Sequence, residues 1–374
     1  MDIRWIDDIN EFQGLAGAWD EALERVSAEN PFLLSDFILT WWKHYGNGLG
    51  LRILAVVQEG RVAGGLPLYL QHGRLRQGFA RVLRYIGGTA ANYTEPFLTD
   101  ATIPTASVLE DALLNREDWD ALFLSDVRAE HPLIEEGFHR PSNGRRRLTR
   151  LMIQDHMNWA IDLSGGLEPY LATRSKKLLR DLRAKRRHAT TRYGEVTLRT
   201  VMGREEVERL VDLYAQFSRQ AFESRNRRSN FEDPRYAAFF RDWLLRLDAQ
   251  RRLDAHALMA GETVLAISFG YRFGTGFNWV LTSFNDACRY VRPGYLLIEE
   301  LIKETLHRGQ TLYNWYGYER FYKEQWCNVK TPLYRVALIQ PSWRGAGYRA
   351  IHWAEQTVKS RPRLRKFVHA LTGA

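Results

Sequence analysis

The sequence is poor in cysteine and has no long apolar run. Its 374 residues include only Cys288 and Cys327, which excludes a disulfide framework and a zinc site built on cysteine pairs. No segment approaches the roughly 18 apolar residues of a membrane-spanning helix. The first residues also lack the basic and apolar regions of a signal peptide. These absences predict a globular protein of the reducing cytoplasm.

Several common catalytic motifs are missing as well. The sequence contains no G-x-x-x-x-G-K-[ST], no H-E-x-x-H and no G-x-S-x-G, which argues against P-loop NTPases, zinc proteases and α/β-hydrolases. It has no DNA-reading zinc motif, so we expect neither a metal nor a DNA partner. His44, His256 and His307 show no spacing typical of a catalytic site, and we expect them in the core or on the surface.

Aromatic residues and positive charge are plentiful. The chain has 12 Trp, 17 Tyr and 18 Phe, and 45% of its residues are hydrophobic, which is ample for a packed core. The net charge of +9 favours an anionic partner such as a phosphate cofactor, a nucleic acid or an acidic membrane surface. A soluble surface that is merely basic is the alternative.

The length and the order of elements predict two α/β domains. We expect an amino-terminal half over residues 1–160, a second half over 161–340, and a basic helical tail over 341–374. The predicted hairpin over 253–273 echoes the one over 51–70, which suggests an internal duplication.

The region from 276 to 326 is the most informative part of the sequence. It predicts a strand, a loop ending in Arg292-Pro293-Gly294, a helix over 294–308, a strand over 311–316 and an aromatic segment around Lys323. Free N–H groups at a helix start favour phosphate, and arginine adds charge. We therefore expect Arg289, Arg292, Gly294 and Tyr295 to bind the phosphates of a cofactor, the alternative being an ordinary helix start.

This order resembles the acyl-CoA half of the GNAT acyltransferases, and more closely their CelD/BcsL-type branch, named for bacterial cellulose biosynthesis. The matching positions are Phe284, Asn285, Gly294, Gly309, Gly317, Tyr322, Lys323 and Trp326. The resemblance covers about residues 5–340. It implies tandem GNAT-like halves with mixed, mostly antiparallel sheets flanked by helices, and acetyl-CoA or another acyl-CoA as donor. Fem-type aminoacyltransferases, which also have tandem halves, are similar at a greater distance.

Acyl transfer from a thioester needs donors to the developing oxyanion and a route for the acceptor proton. Lys323, among aromatic residues, is the main catalytic candidate, and it would stabilise the oxyanion or an acceptor carboxylate. A surface lysine lying over aromatic rings is the alternative. Weaker candidates for a base or proton relay are Glu319, Tyr316, Glu95 and Tyr318. Candidate acceptor-binding residues are Tyr93, Lys177, Arg180, Tyr322 and Trp326.

The sequence departs from the family pattern at carboxylates. Asn92 and Asn314 stand where the family commonly has Asp, and the segment around Tyr318 is one residue longer and lacks an Asp. Loss of catalysis is therefore one alternative.

A basic helix and a basic tail are the remaining features. The basic residues of 174–187 surround a leucine stripe, which predicts either a plain solvated face or a contact with phosphates of a nucleotide sugar, a lipid-linked sugar or RNA. The tail cluster over 359–366 predicts a solvated end or a peripheral contact with acidic lipid.

Three functions fit these observations. The first is an acyl-CoA-dependent transferase acting on an amine or hydroxyl of a sugar or lipid-linked precursor of envelope or exopolysaccharide synthesis, where the acceptor follows from the resemblance alone. The second is Fem-like transfer from aminoacyl-tRNA. The third is a non-catalytic GNAT scaffold that binds an anionic polymer or a membrane.

Overall fold

The computed structural model describes residues 1–26, 30–72, 80–100, 102, 104–135, 148–274, 276–317, 321–347 and 349–350. The helices of these ranges are α1 (Ile9–Arg25), α2 (Ser35–Tyr45), α3 (Thr105–Leu114), α4 (Pro132–Glu135), α5 (Leu167–Ala172), α6 (Lys176–Tyr193), α7 (Arg204–Glu223), α8 (Pro234–Ala249), α9 (Pro293–His307) and α10 (Phe321–Trp326). The strands are β1 (Asp2–Ile6), β2 (Gly50–Gln58), β3 (Arg61–His72), β4 (Arg81–Tyr85), β5 (Phe97–Leu98), β6 (Ala121–Arg128), β7 (Thr149–Asp162), β8 (Val196–Val201), β9 (Leu253–Ala260), β10 (Thr263–Phe273), β11 (Gly276–Phe284), β12 (Leu312–Asn314) and β13 (Val329–Ile339).

Internal contacts divide the chain into two compact units. Unit 1 comprises Met1–Val26, Gly48–Asp155 and the described residues from Leu333 onward, and unit 2 comprises Ser27–Asn47 and His156–Pro332. Sequence order alone assigns α2 to the first half, whereas its aromatic residues pack within unit 2. Phe37 lies edge-on to Phe239 and Trp243 of α8, with ring centroids 5.9 and 5.1 Å apart. The predicted boundaries at 160 and 340 stay a prediction.

The two units have the same strand topology. In unit 1, antiparallel strands run in the order β1-β2-β3-β4, and β4 then pairs in parallel with β6. In unit 2, the antiparallel order is β8-β9-β10-β11, and β11 pairs in parallel with β12. A helix follows the fourth strand in each unit, α3 in the first and α9 in the second. The repeated topology supports the internal duplication that the two hairpins suggest.

In each unit, the strand that pairs in parallel also pairs with a segment from a distant part of the chain: a later one in unit 1 and an earlier one in unit 2. In unit 1, β6 pairs antiparallel with residues 333–339 of β13. In unit 2, β12 pairs antiparallel with residues 160–162 of β7. The pairing of β6 with β13 brings the residues from Leu333 onward into unit 1, which a linear division of the sequence does not predict.

The sheet of unit 2 is covered on both faces. Ile161 and Tyr313 lie opposite each other in register and share one buried cluster with Leu296 and Leu301 of α9. The other face carries Tyr271, whose ring packs against that of Trp243 at 5.9 Å. Helix α6 docks through Leu178 and Leu182, which are buried, because these two residues lie one turn apart on the same side.

No helix in the described ranges is long and apolar enough to cross a membrane.

Candidate functional site

The amino end of α9 is open. Arg292 precedes the helix in the left-handed conformation, with φ 52° and ψ 60°, and no side chain caps the helix start. Within the described ranges, the Gly294 N–H has no hydrogen-bond acceptor, whereas the Tyr295 N–H donates to the Arg292 carbonyl at 3.0 Å. A Cβ built at Gly294 meets nothing within 4 Å. This 15-residue helix therefore presents a free N–H group and the positive end of its dipole.

Cationic side chains surround that helix end. The Arg292 side chain is half-exposed and its guanidinium lies 5.7 Å from the centre of the Tyr295 ring. Arg289 is exposed on the 3₁₀ turn Asp286–Val291, which leads into α9. Lys185 of α6 donates to the Tyr290 carbonyl of the same turn at 2.7 Å. The structure thus brings Arg289, Arg292, Gly294 and Tyr295 together, in an arrangement suited to an anion.

Tyr295 also links α9 to α10. Its hydroxyl donates to the Gln325 Oε1 at 2.8 Å, and its ring lies 6.2 Å from that of Trp326. Burial raises the pKa of Tyr295 above its ordinary value. The phenol therefore stays protonated at neutral pH and acts as a hydrogen-bond donor.

Strands β11 and β12 separate beside this helix end. They pair only from Gly276–Leu312 to Asn278–Asn314, while β11 continues to Phe284. Among the residues that the structure describes, no strand pairs with the rest of β11 on that side. The free edge can accept an extended chain that carries amide groups, as strand edges generally do.

Lys323 lies in the wall of this region, because the aromatic segment around it forms the short helix α10. It is 4% exposed on α10. Its Nζ donates to the carbonyls of Trp315, Tyr316 and Gly317 at 3.3, 2.7 and 2.8 Å. These three contacts match the three N–H groups of an ammonium. Lys323 is buried, as the aromatic segment predicts. Its ammonium group, however, is directed at the backbone.

Tyr316 occupies the point where β11 and β12 separate. It adopts φ 52°, a conformation that costs about 1 kcal/mol for a residue other than glycine. Its hydroxyl donates to the Asn278 Oδ1 at 2.7 Å and contacts the Tyr271 hydroxyl. Its N–H donates to the Asn314 Oδ1 at 3.2 Å. Asn314, which replaces an Asp of the family pattern, therefore serves a backbone turn.

Aromatic rings enclose the Tyr316 side chain. Phe32 lies 5.8 Å from it and 6.3 Å from Tyr271, both edge-on. Tyr316 and Tyr271 are 1% and 0% exposed. The result is a buried group of two phenols and an amide in apolar surroundings, where hydrogen bonds are stronger than in water.

Arg174 and Tyr170 are structural residues that sequence reasoning missed. The Arg174 Nη1 donates to the carbonyls of Gln325, Trp326 and Cys327 at 3.2, 2.9 and 3.1 Å. The Tyr170 hydroxyl donates to the Trp326 carbonyl at 2.6 Å. The prediction that Arg174 belongs to a basic surface over 174–187 was wrong. Its guanidinium binds the backbone carbonyls at the end of α10 instead. No local pattern distinguishes it from the solvated arginines that follow.

Tyr322 and Trp326 have different environments on α10. Trp326 is fully buried and Tyr322 is partly buried, with its ring perpendicular to that of Trp315 at 5.6 Å. Trp326 therefore packs the wall of the region, while Tyr322 reaches its surface. Glu319 and Tyr318 lie outside the described residues, as does the tail cluster over 359–366.

Tyr93 and Glu95 lie in unit 1. Glu95 is 1% exposed and binds the Arg128 guanidinium through both carboxylate oxygens, at 2.9 to 3.2 Å. The same guanidinium lies 4.9 Å from the centre of the buried Tyr93 ring. Burial acts to raise the pKa of Glu95, but Arg128 outweighs it and holds that pKa below its ordinary value. Glu95 is thus a buried ion-pair partner.

The equivalent helix of unit 1 begins differently. Helix α3 begins after Pro104, and its first residues, Thr105 and Ala106, are buried. No basic residue stands in its first turn. In contrast, the first turn of α9 is partly exposed and follows Arg292. Of these two equivalent helices, therefore, only α9 begins with an open turn that follows an arginine.

The remaining predicted residues fall on the surface or in the core. Lys177 and Arg180 are exposed on α6. His256 is 1% exposed, and burial, together with Arg308 and Arg272, lowers its pKa to about 3. His44 is mostly buried, and its Nε2 lies 2.9 Å from the Asp242 Oδ2.

Comparison with known proteins agrees with this architecture. Residues 176–324 match a family model described as an acetyltransferase (GNAT) domain. The crystal structure of FemX has a TM-score of 0.57 at 12% identity, covering 90% of this chain and 97% of its own. A conserved protein of unknown function from Bacteroides thetaiotaomicron VPI-5482 has a TM-score of 0.56 at 12% identity, with coverages of 91% and 100%.

A third similar structure comes from Agrobacterium fabrum. It is the C-terminal domain (DUF2156) of a protein named for a lysylphosphatidylglycerol synthetase, with a TM-score of 0.51 at 13% identity and coverages of 92% and 96%. No curated protein sequence matches this chain significantly. At such low identity the structures show a shared fold alone. The family match places a GNAT acetyltransferase domain at residues 176–324, within unit 2, and a domain of this type implies an acyl-CoA co-substrate.

Proposed function

We propose that unit 2 transfers an acetyl or other acyl group from acyl-CoA to an amine or hydroxyl on a sugar or lipid-linked precursor of envelope or exopolysaccharide synthesis, in the cytoplasm. The observation that carries the donor assignment is the open amino end of α9 beside the free edge of β11. The identity of the acceptor rests on the resemblance to the CelD/BcsL-type branch alone. That resemblance is itself part of the proposal.

The donor would bind in two parts. Its diphosphate would accept the Gly294 N–H and face the Arg292 and Arg289 guanidiniums, since each supplies charge at the positive helix end. Its pantetheine arm carries two amides, which can pair with the β11 edge beyond Asn278 as an added strand does. This arrangement directs the thioester toward the point where β11 and β12 separate.

The hydrogen-bond donor at that point is the Tyr316 hydroxyl, and not the Lys323 ammonium. The Tyr316 hydroxyl already bonds to Asn278, the last paired residue of β11. When the donor binds, the single O–H of Tyr316 would turn from Asn278 to the charge that develops on the thioester oxygen or sulfur, while the Tyr271 hydroxyl stays in contact with the phenol oxygen. Lys323 donates to three backbone carbonyls, so we assign it the task of holding the turn that positions Tyr316.

The acceptor must lose a proton in the apolar surroundings of Tyr316, where the Phe32 ring lies 5.8 Å away. An amine that arrives uncharged, or that loses its proton on entering the apolar surroundings, needs no strong base. We therefore expect an acyl acceptor whose amine or hydroxyl is activated by desolvation. Activity should rise with pH toward the pKa of that group.

A titration of acetyl-CoA into the purified protein tests the donor assignment. The wild type should bind in the micromolar range by calorimetry, and Arg289→Gln/Arg292→Gln should bind at least tenfold more weakly. Arg225→Gln/Arg228→Gln removes the same charge from exposed arginines beyond α7 and should leave the affinity unchanged. Equal affinity in all three proteins would reject this donor site.

Fem-like transfer from aminoacyl-tRNA is the second candidate. The exposed cations of α6 favour it, because a charged helix face suits an RNA donor. Salt-dependent RNA binding without any acyl-CoA binding would favour this candidate over the first. Binding of an anionic polymer or lipid without either donor would favour a non-catalytic scaffold.

A further inference from the structure

Asn158 of β7 carries a buried side-chain oxygen, Oδ1, that accepts no hydrogen bond among the residues that the structure describes. The residue as a whole is 6% exposed, so its amide lies just beneath the surface. A buried acceptor without a donor destabilises a fold, and native proteins rarely keep one. A ligand that brings an N–H group or an O–H group would supply the missing hydrogen bond.

The strand register places Asn158 beside Tyr316. Strands β7 and β12 run antiparallel, and the Trp315 N–H donates to the Trp159 carbonyl at 2.8 Å. One residue further along each strand, Asn158 therefore lies opposite Tyr316, at about the 4.8 Å spacing of neighbouring strands. Because Tyr316 marks the point where β11 and β12 separate, Asn158 borders the place to which the acyl-CoA thioester is directed.

Asn158 also shares a face of the sheet with the partner of the Tyr316 hydroxyl. Side chains alternate along a strand, so Asn158 lies on the same face as Ala160. In register across the sheet, Ala160 pairs with Asn314 and Asn314 pairs with Asn278. The Asn278 Oδ1 accepts from the Tyr316 hydroxyl on that face. The amide of Asn158 and the phenol therefore flank the end of the β11–β12 pairing on one side of the sheet.

A neutral amide at this position favours an amine over an alcohol as the acceptor. An amide oxygen accepts a hydrogen bond but is too weak a base to remove a proton. An alcohol that donates its single O–H to the Asn158 Oδ1 keeps that proton, which hinders its attack. A primary amine, in contrast, donates one N–H and attacks with the lone pair of its nitrogen.

We propose that the Asn158 Oδ1 accepts a hydrogen bond from the uncharged amine of the acceptor and directs the nitrogen lone pair at the thioester carbon. The nitrogen forms a C–N bond to that carbon, the C–S bond breaks, and the proton that the nitrogen loses passes to the CoA sulfur. This inference rests on the acyl transfer proposed for unit 2. It narrows the acceptor to an amine and assigns Asn158 to its binding.

Acetyl transfer to a matched pair of sugars tests the proposal. Glucosamine and glucose differ at one carbon, which carries an amine in the first and a hydroxyl in the second. The wild type with acetyl-CoA should acetylate glucosamine on nitrogen and leave glucose unchanged, as mass spectrometry of the products would show. Asn158→Leu should lower kcat/KM for glucosamine by about tenfold or more, with an unchanged affinity for acetyl-CoA. Equal transfer to glucose, transfer to neither sugar, or wild-type transfer by the variant would overturn the proposal.

A second readout needs no acceptor. Leucine has nearly the shape of asparagine and buries no unpartnered oxygen, so Asn158→Leu should unfold at a higher urea concentration than the wild type. The control Asn314→Leu removes an oxygen that accepts from the Tyr316 N–H and should unfold at a lower one. A loss of stability in Asn158→Leu would show a structural amide and overturn the proposal. A wild type that binds no acetyl-CoA would instead reject the donor site, while the urea experiment still reports on Asn158.

Discussion

The Lys323 ammonium donates to the carbonyl of Tyr316 at 2.7 Å, and Tyr316 is a left-handed residue with φ 52°. The same ammonium also binds the carbonyls on either side. A buried cation thus donates hydrogen bonds to three successive backbone carbonyls. The side chain of Tyr316 is thereby held against Asn278 at the end of the β11–β12 pairing.

Replacement of Lys323 by Met should destabilise the protein by about 3 kcal/mol, because three carbonyls then lose their buried donor. Urea unfolding followed by tryptophan fluorescence measures this change. Lys303→Met is the control, since Lys303 is 41% exposed and pairs with Glu299 and Glu300 of its own helix. It should cost less than about 0.5 kcal/mol. A stable Lys323→Met protein would mean that the ammonium does not hold the turn.

Gly294→Ala should separate stability from donor binding. Alanine is a better helix former than glycine by about 1 kcal/mol, and its Cβ meets nothing within 4 Å. The protein should therefore unfold at a higher urea concentration. Acetyl-CoA should nevertheless bind at least tenfold more weakly, because the methyl group stands where the diphosphate approaches the N–H.

Gly17→Ala in α1 provides the control for that experiment. Its Cβ also meets nothing within 4 Å, and α1 belongs to unit 1. We expect the same gain in stability and no change in acetyl-CoA affinity. Unchanged affinity in Gly294→Ala would argue against a ligand at the start of α9.

His256 should make the protein less stable in mild acid. Its pKa in the folded state is lowered to about 3, while histidine in an unfolded chain titrates near ~6.5. The unfolded chain then binds the proton first as the pH falls. The stabilising effect is complete above pH ~6.5 and is lost at about 1.4 kcal/mol per pH unit below it.

Free energies of unfolding measured between pH 7 and 4 test this expectation. The His256→Asn variant, which has no titrating group at this position, should show a shallower loss of stability with falling pH. Identical slopes for the variant and the wild type would contradict a buried neutral His256.

Glu95→Gln should destabilise unit 1 by about 3 kcal/mol at neutral pH, because the Arg128 guanidinium then loses the buried carboxylate that binds it through both oxygens. The pKa of Glu95 is held low by Arg128, so the stability contributed by the pair is present above pH ~4.3 and is lost as the pH falls further. Melting temperatures of the two proteins should differ at pH 7 and converge toward pH 3. A constant difference would show that the carboxylate charge contributes nothing.

Much of the fold follows from local sequence patterns. The hydrophobic alternation around Glu59-Gly60 and Gly261-Glu262 gives both hairpins, and Arg292-Pro293-Gly294 marks the start of α9 within one residue. These features depend on neighbours along the chain. They also suffice to locate the open start of α9.

Other features depend on contacts between distant segments, and the sequence does not reveal them. The pairing of β12 with β7 joins residues about 150 positions apart, and the grouping of α2 with α8 depends on aromatic packing. Lys323 and Arg174 both read as ordinary basic residues. The hydrogen bonds that they donate to backbone carbonyls become apparent only in the folded structure, in which α10 lies beside Trp315 and Tyr170.

A structure of the protein with bound acetyl-CoA tests the central claim most directly. The account predicts the diphosphate at the Gly294 N–H between Arg289 and Arg292, with the pantetheine arm along β11 beyond Asn278 and the thioester next to Tyr316. Acetyl-CoA bound at any other place, or with its thioester remote from Tyr316, would contradict the account.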